Sequence, residues 1–188
     1  MADSRDNVGT GPVAGTVELR PVEEQDLPLL YRLTSDPAAT GDHEWYGWRN
    51  PHEFGRQWAE DGLLGDDLGI LIVHRGPDRL GFVAWRKVPT GRTSHCWSTG
   101  IALAPEARGQ GNGTAAQRLL VRYLFRHTQV NRIEASTEIN NVAEQRALEK
   151  AGFTREGVLR GAGFQDGRWH DGVLYSVLRD EVNLHDGG

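Results

Sequence analysis

Apolar and polar positions change period along this chain, and each change marks an element. "TVELRPV" at 16–22 alternates and predicts a first strand. "EEQDLPLLYRL" switches to helical spacing, with Pro28 near the first turn, where proline is tolerated. "NPHEFGRQWAEDGLL" predicts a second helix, with Asn50 as cap, Pro51 at the first position and Glu53 three residues past the cap. "GILIVHR" and "RLGFVAWRKV" read as adjacent strands of a hairpin turned by "GPD". "HCWSTGIALA" (95–104) is another strand, stopped by Pro105. From about Thr114 to His127, Ala115, Ala116, Leu119, Leu120, Tyr123 and Leu124 fall on one helical face, which predicts a buried side. "VNRIEAST" (130–137) returns to strand, and "NVAEQRALEKAGF" forms a short helix ending at Gly152. Asp166-Gly167 lies between two β-like runs and predicts a hairpin turn. The order is βααβββαβαββ, an α/β fold with a mixed sheet and helices laid against it.

Length and composition narrow this to one domain. The 188 residues, 38% hydrophobic and 25% charged, suit a single globular core over 16–182, with a flexible leader at 1–15 and a short tail at 183–188. No run of about 18 apolar residues is present, which argues against a membrane span. The first residues have neither a basic start nor an apolar segment, so no secretory signal is expected. A net charge of −5 without a basic run argues against nucleic acid as partner and weakly favours cationic small molecules. Cys96 stands alone, so no intramolecular disulfide forms, no metal site is expected and a reducing cytoplasm is the natural home.

The segment "APEARGQGNGTAAQRLL" carries the strongest chemical signal. It puts Gly109, Gly111 and Gly113 where a helix must start. Glycine inside a helix costs roughly 0.5–1 kcal/mol relative to alanine, so bare backbone must be needed there. The first amides of a helix lack internal partners and, with the helix dipole, favour negative charge. A concave nest over Gly109, Gln110, Gly111, Asn112, Gly113 and Thr114 therefore predicts an anion site, with the Arg108 guanidinium and Thr114 hydroxyl flanking it. A P-loop would need a lysine that Asn112-Gly113-Thr114 lacks. Gly111-x-Gly113-x-x-Ala116, with Glu134 about twenty residues on, fits a dinucleotide fingerprint. Against that, "PEAR" separates it from the strand, and several strands come before it.

"RGQGNG" resembles the R/Q-x-x-G-x-G/A motif of the GCN5-related N-acetyltransferase (GNAT) family, with Arg108, Gly111 and Gly113 in the defining positions. "NVAEQRALEKAGF" is similar to that family's N-x-x-S-x-R-x-x-E-K-x-G-F segment, with Asn141, Arg146, Glu149, Lys150, Gly152 and Phe153 in register. The tail "REGVLRGAGFQDGRWHDGVLYSVL" resembles the subgroup that acetylates ribosomal-protein N-termini. The resemblance covers roughly 16–182 and implies a mixed, mostly antiparallel sheet. It implies acetyl-CoA as co-substrate, with its pyrophosphate on the amides of 109–114. Strands 97–104 and 131–137 would splay around the pantetheine arm. Backbone groups near Ile101 and Leu103, Asn141 beside the arm and Arg146 would complete that site. An acetyl group would move to a primary amine, of a small molecule or a protein N-terminus, by direct attack. A non-catalytic acyl-CoA-binding module is the rival reading, and a homodimer is an assembly left open.

The chain departs from the family pattern where the chemistry should sit. Leu148 replaces the acid tyrosine of the late helix, Glu144 the subgroup's serine, Gly163 its tail carboxylate, and Ser98 a fourth-strand glutamate. Glu138 and Glu144 remain as catalytic candidates, although Asn141 with Glu144 also makes a capping-box pair. His170 or Asp171, but not both, can face the site, since adjacent strand residues point to opposite faces. Trp45, Tyr46, Trp48, Trp97, Ser98 and His170 are the expected acceptor-side residues, while Phe54 and Trp58 are expected to pack in the core. Cys96 on its strand reads as packing rather than as a nucleophile.

Overall fold

A computed structural model describes residues 15–184. The expected leader, Gly15 apart, and the last four residues of the tail lie outside the described residues. Seven strands form one sheet in the order β1-β2-β3-β4-β5-β7-β6. They are β1 (Glu18–Pro21), β2 (Leu68–Arg75), β3 (Asp78–Pro89), β4 (His95–Leu103), β5 (Arg132–Glu138), β6 (Thr154–Gln165) and β7 (Arg168–Leu178). The helices are α1 (Leu27–Ser35), α2 (Pro37–Thr40), α3 (Glu53–Asp61), α4 (Asn112–His127) and α5 (Val142–Ala151). Only β4 and β5 pair in parallel; the other neighbours are antiparallel. A doubly wound dinucleotide fold needs a mostly parallel sheet, so that reading is corrected.

Alternation along the central strands sends side chains to two cores, one on each face of the sheet. Leu71, Val73, Val83, Trp85, Ile133 and Tyr175 pack with Leu120, Leu124 and Phe125 of α4 and Leu148 of α5. Ile70, Ile72 and Phe82 pack on the other face with Leu30 and Leu33 of α1, Ala39 of α2 and Leu63. Asp166 and Gly167 take φ of +47° and +76°, the left-handed conformation that a tight Asp-Gly hairpin requires. Two details differ from the sequence expectation. The short helix α2 goes unforeseen because Pro37-Ala38-Ala39-Thr40 is a single turn, held by Asp36 accepting from the Ala38 amide at 3.0 Å. Helix α3 is capped at His52 rather than Asn50, whose side chain instead accepts from the His52 amide at 3.0 Å.

Asp26 fixes the start of α1. Fully buried, it takes both guanidinium nitrogens of Arg20 at 2.6 and 2.9 Å and the Glu23 amide at 2.9 Å. Burial alone would raise its pKa, but these bonds outweigh it and hold the carboxyl below its ordinary range. Its contribution to stability is thus present at neutral pH and is lost as acid carries the pH down through that lowered value. Asp26→Ala should destabilise the fold by about 2–4 kcal/mol at pH 7, and by less in strong acid. Urea unfolding at both pH values reads this directly, and equal losses at the two would contradict it.

Candidate active site

The glycine segment turns through two left-handed residues before α4 begins. Gly109 and Gly111 have φ of +72° and +80°, and a Cβ placed on either meets nothing within 4 Å. Both need glycine for conformation, not for want of space. The first intrahelical bond runs from the Ala115 amide to the Gly111 carbonyl at 3.1 Å. The amides of Asn112, Gly113 and Thr114 precede it and point out along the axis. The side chains around the nest do other work. Arg108 donates to the carbonyls of Leu103 (2.9 Å), Ala39 and Thr40, joining the end of β4 to α2. Asn112 is buried, donates to the Ala107 carbonyl at 2.8 Å and accepts from Arg75. Gln110 folds back onto the Glu106 carbonyl at 2.8 Å. The Arg108 guanidinium, expected to flank the anion, is engaged with these carbonyls, and the Asn112 and Gln110 side chains are likewise engaged within the protein.

Beyond the nest the sheet opens. β4 and β5 are paired only through Trp97, Ser98 and Thr99 against Ile133, Glu134 and Ala135. From Gly100 onward the edge of β4 that faces β5 has no strand partner, and the same holds for β5 from Ser136. The half-buried side chains of Ile101 and Leu103 point to the α4 face, 4.0 and 3.7 Å from where a Cβ on Gly113 would lie. On this face a channel closed down to about 10 Å³ is lined by Thr99, Ile101, Gln117, Ala135, Glu144 and Leu148, among others. A cleft of about 550 Å³ opens on the opposite face, lined by residues that include Glu44, Tyr46, Ser98, Glu138 and His170. Thr99 and Gly100 line both. An elongated molecule anchored at the nest and laid in the gap would reach the cleft through the sheet.

A model of the acetyltransferase (GNAT) domain family matches residues 16–154. The chain belongs to the GNAT acetyltransferase family. A probable N-acetyltransferase of Bacillus subtilis, YjcK, is 37% identical over 130 residues, which cover 69% of this chain and 63% of that protein. The chain thus spans somewhat under two thirds of that relative. An uncharacterized N-acetyltransferase p20 of Bacillus licheniformis is 34% identical over 87% of this chain and 93% of its own length. Among solved structures, a spermidine N-acetyltransferase from Vibrio cholerae, in complex with CoA and spermine, has the same fold with a TM-score of 0.74. It is 18% identical, over 88% of this chain and 97% of that one.

Within this GNAT frame the two carboxylate candidates sit in contrasting surroundings. Glu138, at the end of β5, accepts from His43 at 2.8 Å, Asn140 at 3.1 Å and His170 at 3.3 Å. The His43 bond is the main reason its carboxyl stays below the ordinary range. Glu144, in the first turn of α5, is pushed up to about 7, chiefly by burial and then by repulsion from Glu44, against the bond from Gln117. That bond is 2.8 Å long. The capping box is only half made. Asn141 accepts from the Glu144 amide at 3.2 Å, but the Asn141 amide donates to the Glu138 carbonyl and the Glu144 side chain turns into the channel. Arg146 is exposed on α5.

Other candidates divide by face. Trp97, an expected acceptor-side residue, is buried on the α4 side, its indole donating to Thr128 at 3.1 Å. Trp45 and Trp48 meet edge to face at 5.1 Å and stay outside the cleft lining, with Trp48 79% exposed. His170 turns to Glu138, while the Asp171 carboxylate takes the Gly161 amide at 2.7 Å. His43, Glu44 and Gln117 were missed. His43 and Glu44 adjoin the aromatic cluster, but the His43 partner lies 95 residues away in sequence. Arg108→Met should lower stability by about 1–3 kcal/mol in urea unfolding and leave inorganic pyrophosphate binding intact. Weakened pyrophosphate binding at unchanged stability would show that the guanidinium reaches the anion.

Proposed function

We propose that this chain is an N-acetyltransferase that moves the acetyl group of acetyl-CoA to a primary amine by direct attack. One observation carries the reading: an open amide nest continues into a gap between β4 and β5, and that gap meets a carboxylate-bearing cleft at Thr99 and Gly100. The diphosphate of CoA binds the amides of 109–114, where helix-end geometry favours an anion. The free edge of β4 beyond Thr99 accepts the amides of the pantetheine arm as an added strand would, near Ile101 and Leu103. Asn141, Thr114 and the exposed Arg146 border this path. The family name and the CoA-bound structural relative support the assignment.

The amine enters from the cleft on the other face as an ammonium, drawn to the ionised Glu138. Attack needs the neutral amine, so one proton must leave first. Glu138 takes it into a network with His43 and His170. His43, its side chain 37% exposed, gives that network a way out to solvent. Imidazole is suited to such a relay near neutrality. Tyr46 and Ser98 line the same cleft and position the acceptor. The buried free thiol of Cys96 accords with a reducing compartment, and we assign the enzyme to the cytoplasm.

Gly111→Asp should abolish acetyl-CoA binding, measured by intrinsic fluorescence titration, with the circular dichroism spectrum unchanged. Aspartate tolerates the left-handed backbone there but sets a carboxylate against the phosphates. Retained affinity would overturn the reading. Glu138→Gln should reduce kcat about 100-fold in a thiol-release assay with the best amine of a screening panel, with acetyl-CoA affinity kept. A wild-type rate in that variant would remove Glu138 from the chemistry.

A further inference from the structure

We propose that Glu144 is the acid that protonates the departing CoA thiolate, and that Gln117 both holds Glu144 in place and binds the pantetheine arm. This rests on the transfer reading above. Three observations converge on the pair. First, the Glu144 side chain forgoes the Asn141 amide that a capping box would give it and lies in the channel instead. Second, Gln117 on α4 is 6% exposed, and while its amide nitrogen donates to Glu144 at 2.8 Å, its carbonyl oxygen has no partner among the described residues. A buried acceptor facing a channel is costly unless a ligand donor fills it, and an amide N–H of the arm has the right chemistry. Third, Leu148, fully buried in the channel wall, has no proton to give.

The surroundings keep a proton on Glu144. Ile101 from β4, Ala135 from β5, and Leu120, Leu148 and Phe153 from the helical side make the channel wall apolar. Of the charged groups, Glu44, in the loop after α2 and in the wall of the cleft on the other face, opposes ionisation of Glu144, while Gln117 is its neutral partner. The remaining polar wall residue, Thr99, has its hydroxyl donated to the Glu134 carbonyl at 3.0 Å. No cation among these groups stabilises the carboxylate, so the carboxylic acid form persists to about neutral pH.

The amine nitrogen bonds to the acetyl carbon and the carbon–sulfur bond breaks, its electron pair going to sulfur. Glu144 gives its proton to that sulfur and becomes a carboxylate. The ammonium starts with three protons and the product amide keeps one; one of the two released restores Glu144 through solvent and the other enters bulk water. Two carboxyl groups thus act at opposite ends of the gap. Glu138 is ionised and proton-accepting, and Glu144 is neutral and proton-donating.

Glu144→Gln tests the assignment because it keeps the shape and the partner Gln117. Expected are unchanged acetyl-CoA affinity by fluorescence titration, a fall in kcat of about 100-fold or more, and loss of the alkaline limb in the pH profile of kcat. In the ligand-free protein at pH 6, the infrared carbonyl band of a protonated carboxylic acid should be weaker in Glu144→Gln than in wild type. Gln117→Leu should raise the acetyl-CoA dissociation constant about tenfold. Should Glu144→Gln misfold, Glu144→Asp should retain an alkaline limb at a reduced kcat. Wild-type kcat with an unchanged limb in Glu144→Gln, or wild-type kcat in Glu144→Asp without a limb, overturns the acid while leaving the transferase reading intact. Absence of turnover by the wild-type protein on every amine overturns both.

Discussion

Three residue pairs between β4 and β5 set the terms for everything else in this molecule. Trp97 to Thr99 against Ile133 to Ala135 bind the two halves of the sheet, and then the strands part. A sheet that stops pairing in its middle leaves main-chain groups open where they would otherwise be spent on a ladder. The core under α4 and α5 spans both halves of the sheet, whereas the core under α1 to α3 packs only on the half that holds β2 and β3. The nest, the gap and the cleft follow from that separation. The break in hydrogen bonding begins where Thr99 and Gly100 line the pockets on both faces of the sheet.

Along this passage the same functional group appears in two electrostatic settings. Glu138 gathers three donors and stays ionised, whereas Glu144 has an apolar wall and a neighbouring carboxylate and holds its proton. Neither setting comes from adjacent sequence. His43 reaches Glu138 from the loop after α2, and Gln117 reaches Glu144 from α4. Environment rather than residue type separates the two carboxyl groups, lowering the pKa of one and raising that of the other.

Much of the fold was legible from period alone. The seven strands and the four longer helices of the described residues match the expected order. The central strands and α4 were legible because each buries one face against a core, whereas β6, exposed along nearly all its length, was legible through the hairpin turn it shares with β7. The Asp166-Gly167 turn and the glycine nest were legible because their backbone conformations have few sequence solutions. Side-chain roles were less so. Arg108 sits beside the nest in sequence yet spends its donors on carbonyls of β4 and α2, a partnership that depends on a long-range contact. Trp97 and Ser98 are neighbours on opposite faces, and which face carries the cleft is decided by helices far away in the chain. The fate of Glu144 turned on a glutamine 27 residues away.

The unfinished cap at the start of α5 bears on how this protein would respond to thermostability engineering. Completing it would require Glu144 to swing back to the Asn141 amide, strengthening the helix at the expense of the channel. Selection for melting temperature alone would favour that swing or a residue better suited to capping, and so would enrich sturdier, slower variants. The native chain keeps the weaker helix end, consistent with a trade in which robustness yields to turnover.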